Sequence, residues 1–182
     1  HAIAAHRSVF SVSVGSVDET IPARFDAARR MTCLTAIFAK LPTCLGIYFP
    51  SADLILPPKT WVAAADMAHK GKFPALQWIN YAVAALTETT FTVNSIGCAA
   101  FNGHEVCMPA VKLDPKEAVQ HVYAATVMML EYGHEYRDGD TMGNEEGTLK
   151  LRLRHCAEGV HGFQTDTWTL FHPNSVLDEH ET

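Results

Sequence analysis

The sequence has no CxxC pair, no long apolar run and no excess of basic residues. A helix that crosses a membrane needs about 20 consecutive apolar residues, and no stretch of this chain approaches that length. Proteins that bind nucleic acids usually carry a basic surface, whereas the formal net charge here is -6. These absences predict a protein with no membrane span and no nucleic-acid partner. The acidic balance permits a basic protein partner.

Motifs of familiar catalytic chemistry are also missing. There is no GxSxG nucleophile elbow, no Walker-type phosphate loop and no GxGxxG after a predicted strand. The HE pairs at 104–105 and 134–135 begin like the HExxH zinc motif, but Met108 and Asp138 stand where the second histidine belongs. The ten histidines are spread along the chain, which favours single surface or core residues. The sequence therefore predicts no metal ion and no other cofactor.

The cysteines are odd in number, dispersed and placed in apolar stretches. This pattern is typical of reduced core thiols in a cytosolic protein. We therefore predict a cytoplasmic location and five unpaired, mostly buried thiols: Cys33, Cys44, Cys98, Cys107 and Cys156.

The first half of the chain changes its hydrophobic period twice. Residues 8–14 alternate small polar and apolar side chains, which predicts a strand, and residues 43–50 form a second short apolar run. Between them, apolar residues recur every three or four positions, which predicts an amphipathic helix that ends at Pro42. Strand, helix and strand in this order predict a parallel pair. The buried helix face is expected to contain Phe25, Ala28, Met31, Leu34, Ile37 or Phe38, and Leu41.

The second half reads as strands around one long helix. Patterns at 76–86 and 90–101 predict a hairpin, and 104–111 predicts a further strand. A helix capped by Asp114 and ended by Gly133 follows, and strands are predicted at 148–156 and 165–173. With a short helix at 59–71, the whole predicts a single α+β domain over residues 1–173, with helices on a mixed, mainly antiparallel sheet, ferredoxin-like or a variant of it. Residues 174–182 are predicted to be an acidic, flexible tail.

An acidic loop joins the long helix to the strand at 148–156. With Asp138 and Asp140 at positions 1 and 3, Gly143 falls at position 6 of an EF-hand loop. The match fails at positions 5 and 12, where Met142 and Leu149 supply no side-chain oxygen. We therefore predict a turn in which carboxylates accept backbone N–H groups. Asp140 is expected to do so within residues 138–144 and to tie the helix end to the strand.

Four stretches carry a resemblance to a known family. They are GIYF at 46–49, LQWIN at 76–80, SIGCAAFNGHEV at 95–106 and DGDTMG at 138–143. In this order they resemble a bacterial family catalogued as domain-of-unknown-function family 4261, over most of residues 1–155. DGDT followed by glycine is the most specific of the four, and His6 resembles the histidine that opens the family's first strand. The resemblance implies a bacterial cytosolic protein of mixed α+β fold and no established reaction.

This chain departs from the family pattern at several positions. The family has an aromatic–glycine pair before the HE pair, where this chain has Asn102 after the aromatic residue. Cys107 stands where the family has an acidic residue, and Val9 replaces a histidine near the first strand. The family also carries an extra N-terminal segment, which the resemblance implies is absent here. A polar site built from these groups would be partly lost in this member.

Two functional hypotheses follow. The first is a non-enzymatic protein-binding module, such as an immunity-type protein that neutralises a toxin, because no catalytic motif is present and acidic surfaces can steer basic partners. The second is a hydrolase or metal-assisted enzyme that uses a His/Glu/Asp cluster assembled by folding. The candidate polar cluster consists of His6, His104, Glu105, Asp138, Asp140 and Thr141.

Overall fold

A computed structural model describes residues 8–14, 20–143, 147, 149–158 and 166–176. The chain divides into two compact units, His1–Trp78 and Ile79–Thr182. Helices accompany a six-stranded, mostly antiparallel mixed sheet and a separate two-stranded sheet, so the predicted α+β class is confirmed. The ferredoxin-like arrangement is not confirmed. A single domain over residues 1–173 stays a prediction.

The described residues of the first unit form three helices and one hairpin. Its elements are α1 (Ile21–Ala39), β1 (Ile47–Phe49), a 3₁₀ turn (Pro50–Ala52), β2 (Leu54–Leu56), α2 (Pro58–His69) and α3 (Ala75–Trp78). β1 pairs antiparallel with β2, and Asp53 between them takes a left-handed conformation with φ 48°. The predicted parallel pair in this half is therefore wrong. Residues 8–14 form no strand, and the apolar run at 43–50 pairs with the strand that immediately follows it.

The face of α1 that packs inward is made of small residues. Thr32, Ala36 and Ala39 are its buried positions, and α1 packs on α2, whose buried residues include Ala64 and Ala68. Small side chains at these positions favour close approach of the two helices, while the large Trp61 side chain of α2 contacts α1 at Thr32. The predicted buried face of α1 is wrong in its second half, where large side chains stay exposed: Leu34, Ile37, Phe38 and Leu41.

Trp61 and Trp78 fill the rest of this core and bind the same residue of α1. The indole N–H of Trp61 donates to the backbone oxygen of Thr32 at 3.2 Å, and that of Trp78 donates to the Thr32 hydroxyl at 2.9 Å. Trp61 also lies 5.6 Å from the ring of Phe49. Because buried indole N–H groups require acceptors, Thr32 fixes both tryptophans at the centre of the first unit.

The second unit is a six-stranded sheet with one long helix. Its elements are β3 (Asn80–Ala85), β4 (Phe91–Ile96), α4 (Ala99–Asn102), β5 (Glu105–Val111), α5 (Pro115–Leu130), β6 (Thr141–Gly143), β7 (Lys150–Cys156) and β8 (Thr167–Phe171). The strand order is β3-β4-β5-β8-β7-β6. The predicted hairpin is confirmed as β3 and β4, and the predicted strands β5, β7 and β8 are confirmed too. Residues 75–78 form the helix α3, whereas the predicted strand began at residue 76.

The one parallel pair in this sheet joins β5 to β8. Glu105 lies opposite Thr167, and the Glu105 N–H donates to the Asp166 carbonyl at 2.9 Å. Every residue of both strands is buried. The start of β5 and the start of β8 therefore lie side by side.

Both ends of α5 are fixed by local signals. The Asp114 carboxylate accepts a hydrogen bond from Lys116 N at 2.8 Å, which confirms the predicted N-cap. At the other end, Gly133 has φ 66°, and His134 N donates back to Met128 O at 3.0 Å. Glycine adopts this left-handed conformation without strain, so it closes the helix.

Part of the predicted tail is bound to the sheet. Ser175 bridges to Val111, and Val176 N donates to Ala110 O at 2.7 Å; residues 177–182 lie outside the described residues. Within the described part of the chain, every helix is too short or too polar to span a bilayer.

Candidate metal-binding site

Two histidines and one aspartate converge at the ends of three inner strands of the six-stranded sheet, β5, β7 and β8. His104 immediately precedes β5, His155 lies near the end of β7, and Asp166 immediately precedes β8. Asp166 Oδ1 lies 2.5 Å from His155 Nε2 and 3.0 Å from His104 Nδ1. One carboxylate oxygen thus contacts two imidazole rings. We call these three residues the His₂Asp cluster.

The His₂Asp cluster lies against an aromatic wall and is partly open to solvent. The two imidazole rings are 5.4 Å apart between centroids, and the Trp168 ring lies 4.9 Å from His155 and 6.3 Å from His104. About one third of each cluster side chain is exposed: 32% for His104, 33% for His155 and 36% for Asp166. The three side chains are therefore partly open to solvent, although the His104 Nδ1 atom itself is buried.

The cluster keeps its carboxylate charged. Burial alone would raise the pKa of Asp166, but hydrogen bonding and charge from His104 and His155 outweigh it, so that pKa is lowered. The His104 contact is close yet poorly aligned: Nδ1 is fully buried and makes no directed hydrogen bond among the described residues. A hydrogen bond this poorly directed is weak.

The three ligand atoms lie within 4.8 Å of one another. Around a zinc ion with bonds of about 2.0–2.1 Å, tetrahedral ligands sit about 3.3 Å apart. The Asp166 oxygen would retreat slightly from both rings to admit an ion between them. Two imidazoles and one carboxylate match the donor set of zinc and non-haem iron sites, so the residues present fit a divalent transition metal.

Backbone contacts hold each cluster residue in place. The His104 N–H donates to the Asn102 side-chain oxygen at 3.1 Å, and the His155 N–H donates to Asp138 Oδ1 at 2.6 Å. Asp166 is held through its own carbonyl, which accepts the hydrogen bond from Glu105 N. All three backbones are therefore positioned by contacts outside the cluster.

The acidic loop is a turn that is anchored to β7. Asp140 Oδ2 accepts a hydrogen bond from Arg137 N at 2.8 Å, so the carboxylate accepts a backbone N–H as predicted, but from a donor outside the predicted range 138–144. Gly139 N donates to Leu153 O at 2.9 Å, and Leu153 N donates to Asp140 O at 2.8 Å. The loop thus ties the end of α5 to β7, as predicted.

Glu105 is buried, with 7% of its surface exposed, and accepts four hydrogen bonds. The Ser95 hydroxyl donates to Oε2 at 2.5 Å, and the N–H groups of Gly97, Cys98 and Ala99 donate at 2.9, 3.2 and 3.1 Å. Burial raises the pKa of this carboxyl, and the four hydrogen bonds oppose that rise. The carboxylate therefore anchors the turn between β4 and β5.

The remaining members of the predicted polar cluster occupy different surroundings. Thr141 is exposed and pairs with Arg152 in the β6–β7 ladder. His6 lies outside the described residues. His104 and Asp138 both contact His155, through its ring and its backbone respectively. A joint function of the six predicted residues stays a prediction.

Sequence reasoning missed His155 and Asp166. The available signal was the alternation of β7: Leu151 and Leu153 are buried, and His155 continues their period of two at the strand end. An inward-facing histidine at a strand end is worth testing as a ligand. The pairing of β8 with β5, which brings Asp166 to His104, had no local signal.

A second pair of histidines lies elsewhere in the second unit. The rings of His121 and His172 are stacked with centroids 6.0 Å apart. Burial lowers the pKa of both, and at His172 the neighbouring His121 lowers it further while Glu117 opposes both shifts. No carboxylate or thiol joins them to form a ligand group of three among the described residues.

All five cysteines fall within the described residues and are unpaired. Cys98 and Cys107 are buried, whereas Cys33, Cys44 and Cys156 are half-buried. The expectation of mostly buried thiols is therefore wrong for three of the five.

Comparison with known proteins places one segment of the chain. No curated protein and no solved structure matches the chain. Residues 94–162 match a family model described as Domain of unknown function (DUF4261), and this segment includes His104, the acidic loop and His155. The resemblance drawn from the sequence motifs is thereby confirmed over residues 94–162, the segment in which this chain is similar to domain-of-unknown-function family 4261.

Proposed function

We propose that the protein binds a divalent transition-metal ion through His104, His155 and Asp166. The observation that carries this proposal is the convergence of two imidazole nitrogens and one carboxylate oxygen within 4.8 Å, delivered by three different strand ends. The buried His104 Nδ1 has no directed hydrogen bond among the described residues. An ion would satisfy this nitrogen better than its poorly directed 3.0 Å contact with Asp166 Oδ1 does.

The donor set selects the class of ion. Ca²⁺ and Mg²⁺ prefer oxygen ligands, whereas imidazole suits zinc, copper, iron, cobalt and nickel. With three protein ligands, an ion keeps at least one position for water or substrate, which is the arrangement of catalytic rather than structural zinc sites. Such an ion supplies Lewis-acid chemistry. This supports the metal-assisted hydrolase hypothesis with a different set of residues from the one predicted.

Cobalt titration of chelator-treated protein tests the proposal. We expect one equivalent of Co²⁺ to bind with visible absorption, Zn²⁺ to displace it, and equal concentrations of Mg²⁺ or Ca²⁺ to leave it bound. Replacing His155 or His104 with alanine should weaken binding by more than the 10–100-fold that loss of an outer-shell partner typically costs.

His121→Ala is the matched control, because it removes a partly buried histidine of the same unit that lies outside the His₂Asp cluster. This variant should bind cobalt like the wild type, with circular dichroism used to confirm that each variant is folded. Absence of stoichiometric binding by the wild type, or equal binding by the His155→Ala variant, would refute the proposal.

Protein binding is the second candidate function, and it is favoured by α1. Leu34, Ile37, Phe38 and Leu41 follow the i, i+3, i+4, i+7 spacing and are 46%, 61%, 38% and 52% exposed. Contiguous exposed apolar surface commonly marks an interaction site. An immunity-type role and a cytoplasmic location belong to this candidate; the net charge of -6 is the feature that favours a basic partner.

An Ile37→Gln, Leu41→Gln double variant tests this second candidate. It should abolish retention of any protein that the wild type captures, with little change in stability, because both side chains are exposed. A Lys59→Gln variant, exposed on α2, serves as the surface control. Equal capture by all three proteins would contradict a binding role for the α1 face.

A further inference from the structure

We infer that Asp138 of the acidic loop is a positioning residue for the metal site, because it fixes the backbone of the ligand His155. This inference rests on the proposed function. Asp138 Oδ1 accepts a hydrogen bond from His155 N at 2.6 Å. The DGDT motif then acts on the metal site without contributing a ligand.

The contact completes the edge of β7. β6 pairs with β7 only from Gly143↔Lys150 to Thr141↔Arg152. Beyond that point β7 has β8 on one side, with His155 opposite Trp168. On the other side, beyond the end of β6, the Asp138 carboxylate accepts a hydrogen bond from His155 N. The Asp138 carboxylate thus supplies the hydrogen-bond acceptor that a neighbouring strand would otherwise supply to His155 N.

The loop is itself held firmly enough to perform this role. Gly139 has φ 86°, a left-handed conformation suited to glycine, and its N–H is bound to Leu153 O. Leu153 in turn donates to Asp140 O. These two bonds attach the turn to β7 two residues before His155, so Asp138 cannot drift relative to the strand it caps.

The geometry predicts a specific effect on affinity. A ligand bound to a fixed backbone loses less freedom when it meets an ion, and loss of an outer-shell contact typically weakens metal binding 10–100-fold. Asp138→Ala should therefore weaken Co²⁺ binding by about 10–100-fold. Asp138→Asn retains a side-chain oxygen that can accept from His155 N, so it should bind within about threefold of the wild type, a smaller change than the 10–100-fold loss expected for alanine.

The cobalt spectrum distinguishes positioning from direct ligation. If Asp138 only positions His155, the Asp138→Ala variant at saturation should show the same absorption band shape as the wild type. Asp114→Ala is the matched control: its carboxylate also accepts a backbone N–H, that of Lys116 at 2.8 Å, but at the start of α5. It should be destabilised without any change in cobalt affinity.

The outcomes separate the two claims. If the wild type binds no cobalt, the metal site itself is refuted. If the wild type binds and Asp138→Ala binds equally well, only the positioning role is overturned. A changed band shape would show that Asp138 ligates the ion. Equal losses of affinity in the Asp138→Ala and Asp138→Asn variants would show that the charge of Asp138 acts rather than its hydrogen bond. Either result overturns the inference.

Discussion

Replacing Glu105 with alanine should lower the free energy of unfolding by about 3–5 kcal/mol. The substitution leaves three backbone N–H groups and the Ser95 hydroxyl without their acceptor, in a region where Glu105 is 7% exposed. Each buried donor left unsatisfied costs about 1–3 kcal/mol, reduced where water enters. Chemical denaturation followed by circular dichroism measures the loss.

Two further variants sharpen this test. Glu105→Gln should lose less than the alanine variant, because an oxygen in the Oε1 position can still accept from Gly97 and Ala99. Glu117→Ala, at an exposed position of α5, should change stability by about 0.5 kcal/mol or less. Similar losses for Glu105→Ala and Glu117→Ala would show that the buried network contributes little.

The raised pKa of Glu105 gives the network a pH dependence of known sign. Burial makes the charged form less favourable in the folded state, so the folded-state pKa lies above the unfolded value of about 4.3. The folded state then holds its proton to higher pH than the unfolded state. The contribution of this protonation to the free energy of unfolding is fully present below about pH 4.3. It is lost as the pH rises through the folded-state pKa of Glu105. The Gln variant should lack this component of the stability profile.

Replacing Trp61 with alanine should lower the free energy of unfolding by about 3–5 kcal/mol. Trp61 is 1% exposed, and its indole N–H donates to the backbone oxygen of Thr32. The other buried residues of α2 are alanines, which are too small to fill the cavity. Trp61→Phe should lose less, since most of the ring volume is retained. Thermal and urea unfolding measure both variants.

Ile37→Ala is the informative control for the first unit. The apolar period of α1 predicted that this side chain faces the core, whereas it is 61% exposed. We expect a change of about 0.5 kcal/mol or less for Ile37→Ala. A loss as large as that of Trp61→Ala would mean that the exposed face of α1 is in fact a core face.

Local patterns in the sequence predicted most elements but not the face of α1. The cap at Asp114, the stop at Gly133 and the alternation of β7 depend on neighbours in sequence, and all three are found. The inward face of α1 depends on its partner: α2 presents Trp61 among alanines, and the small residues Thr32 and Ala36 are buried while larger apolar side chains of α1 stay exposed. Hydrophobic period alone cannot register the size of the opposing surface.

The His₂Asp cluster was only partly predictable for the same reason. His104 was identified from its HE pair and Asp138 from its loop, but neither pattern indicated His155 or Asp166. These two meet His104 because β8 pairs in parallel with β5 and antiparallel with β7. Long-range strand pairing of this kind has no signature within a short window of sequence.

The parallel pairing of β5 with β8 joins segments that lie far apart along the chain. The β3–β4 hairpin is made of contacts between residues close along the chain. β5 and β8, in contrast, are separated in the sequence by α5, β6 and β7. Contacts between distant segments form slowly, because closing the intervening chain costs entropy. His155 and Asp166 meet through the antiparallel pairing of β7 with β8, and His104 joins them only when β8 also pairs with β5. If the proposed site holds an ion, the bound ion would report that this pairing is complete, and a chain that stops short of β8 would lack Asp166.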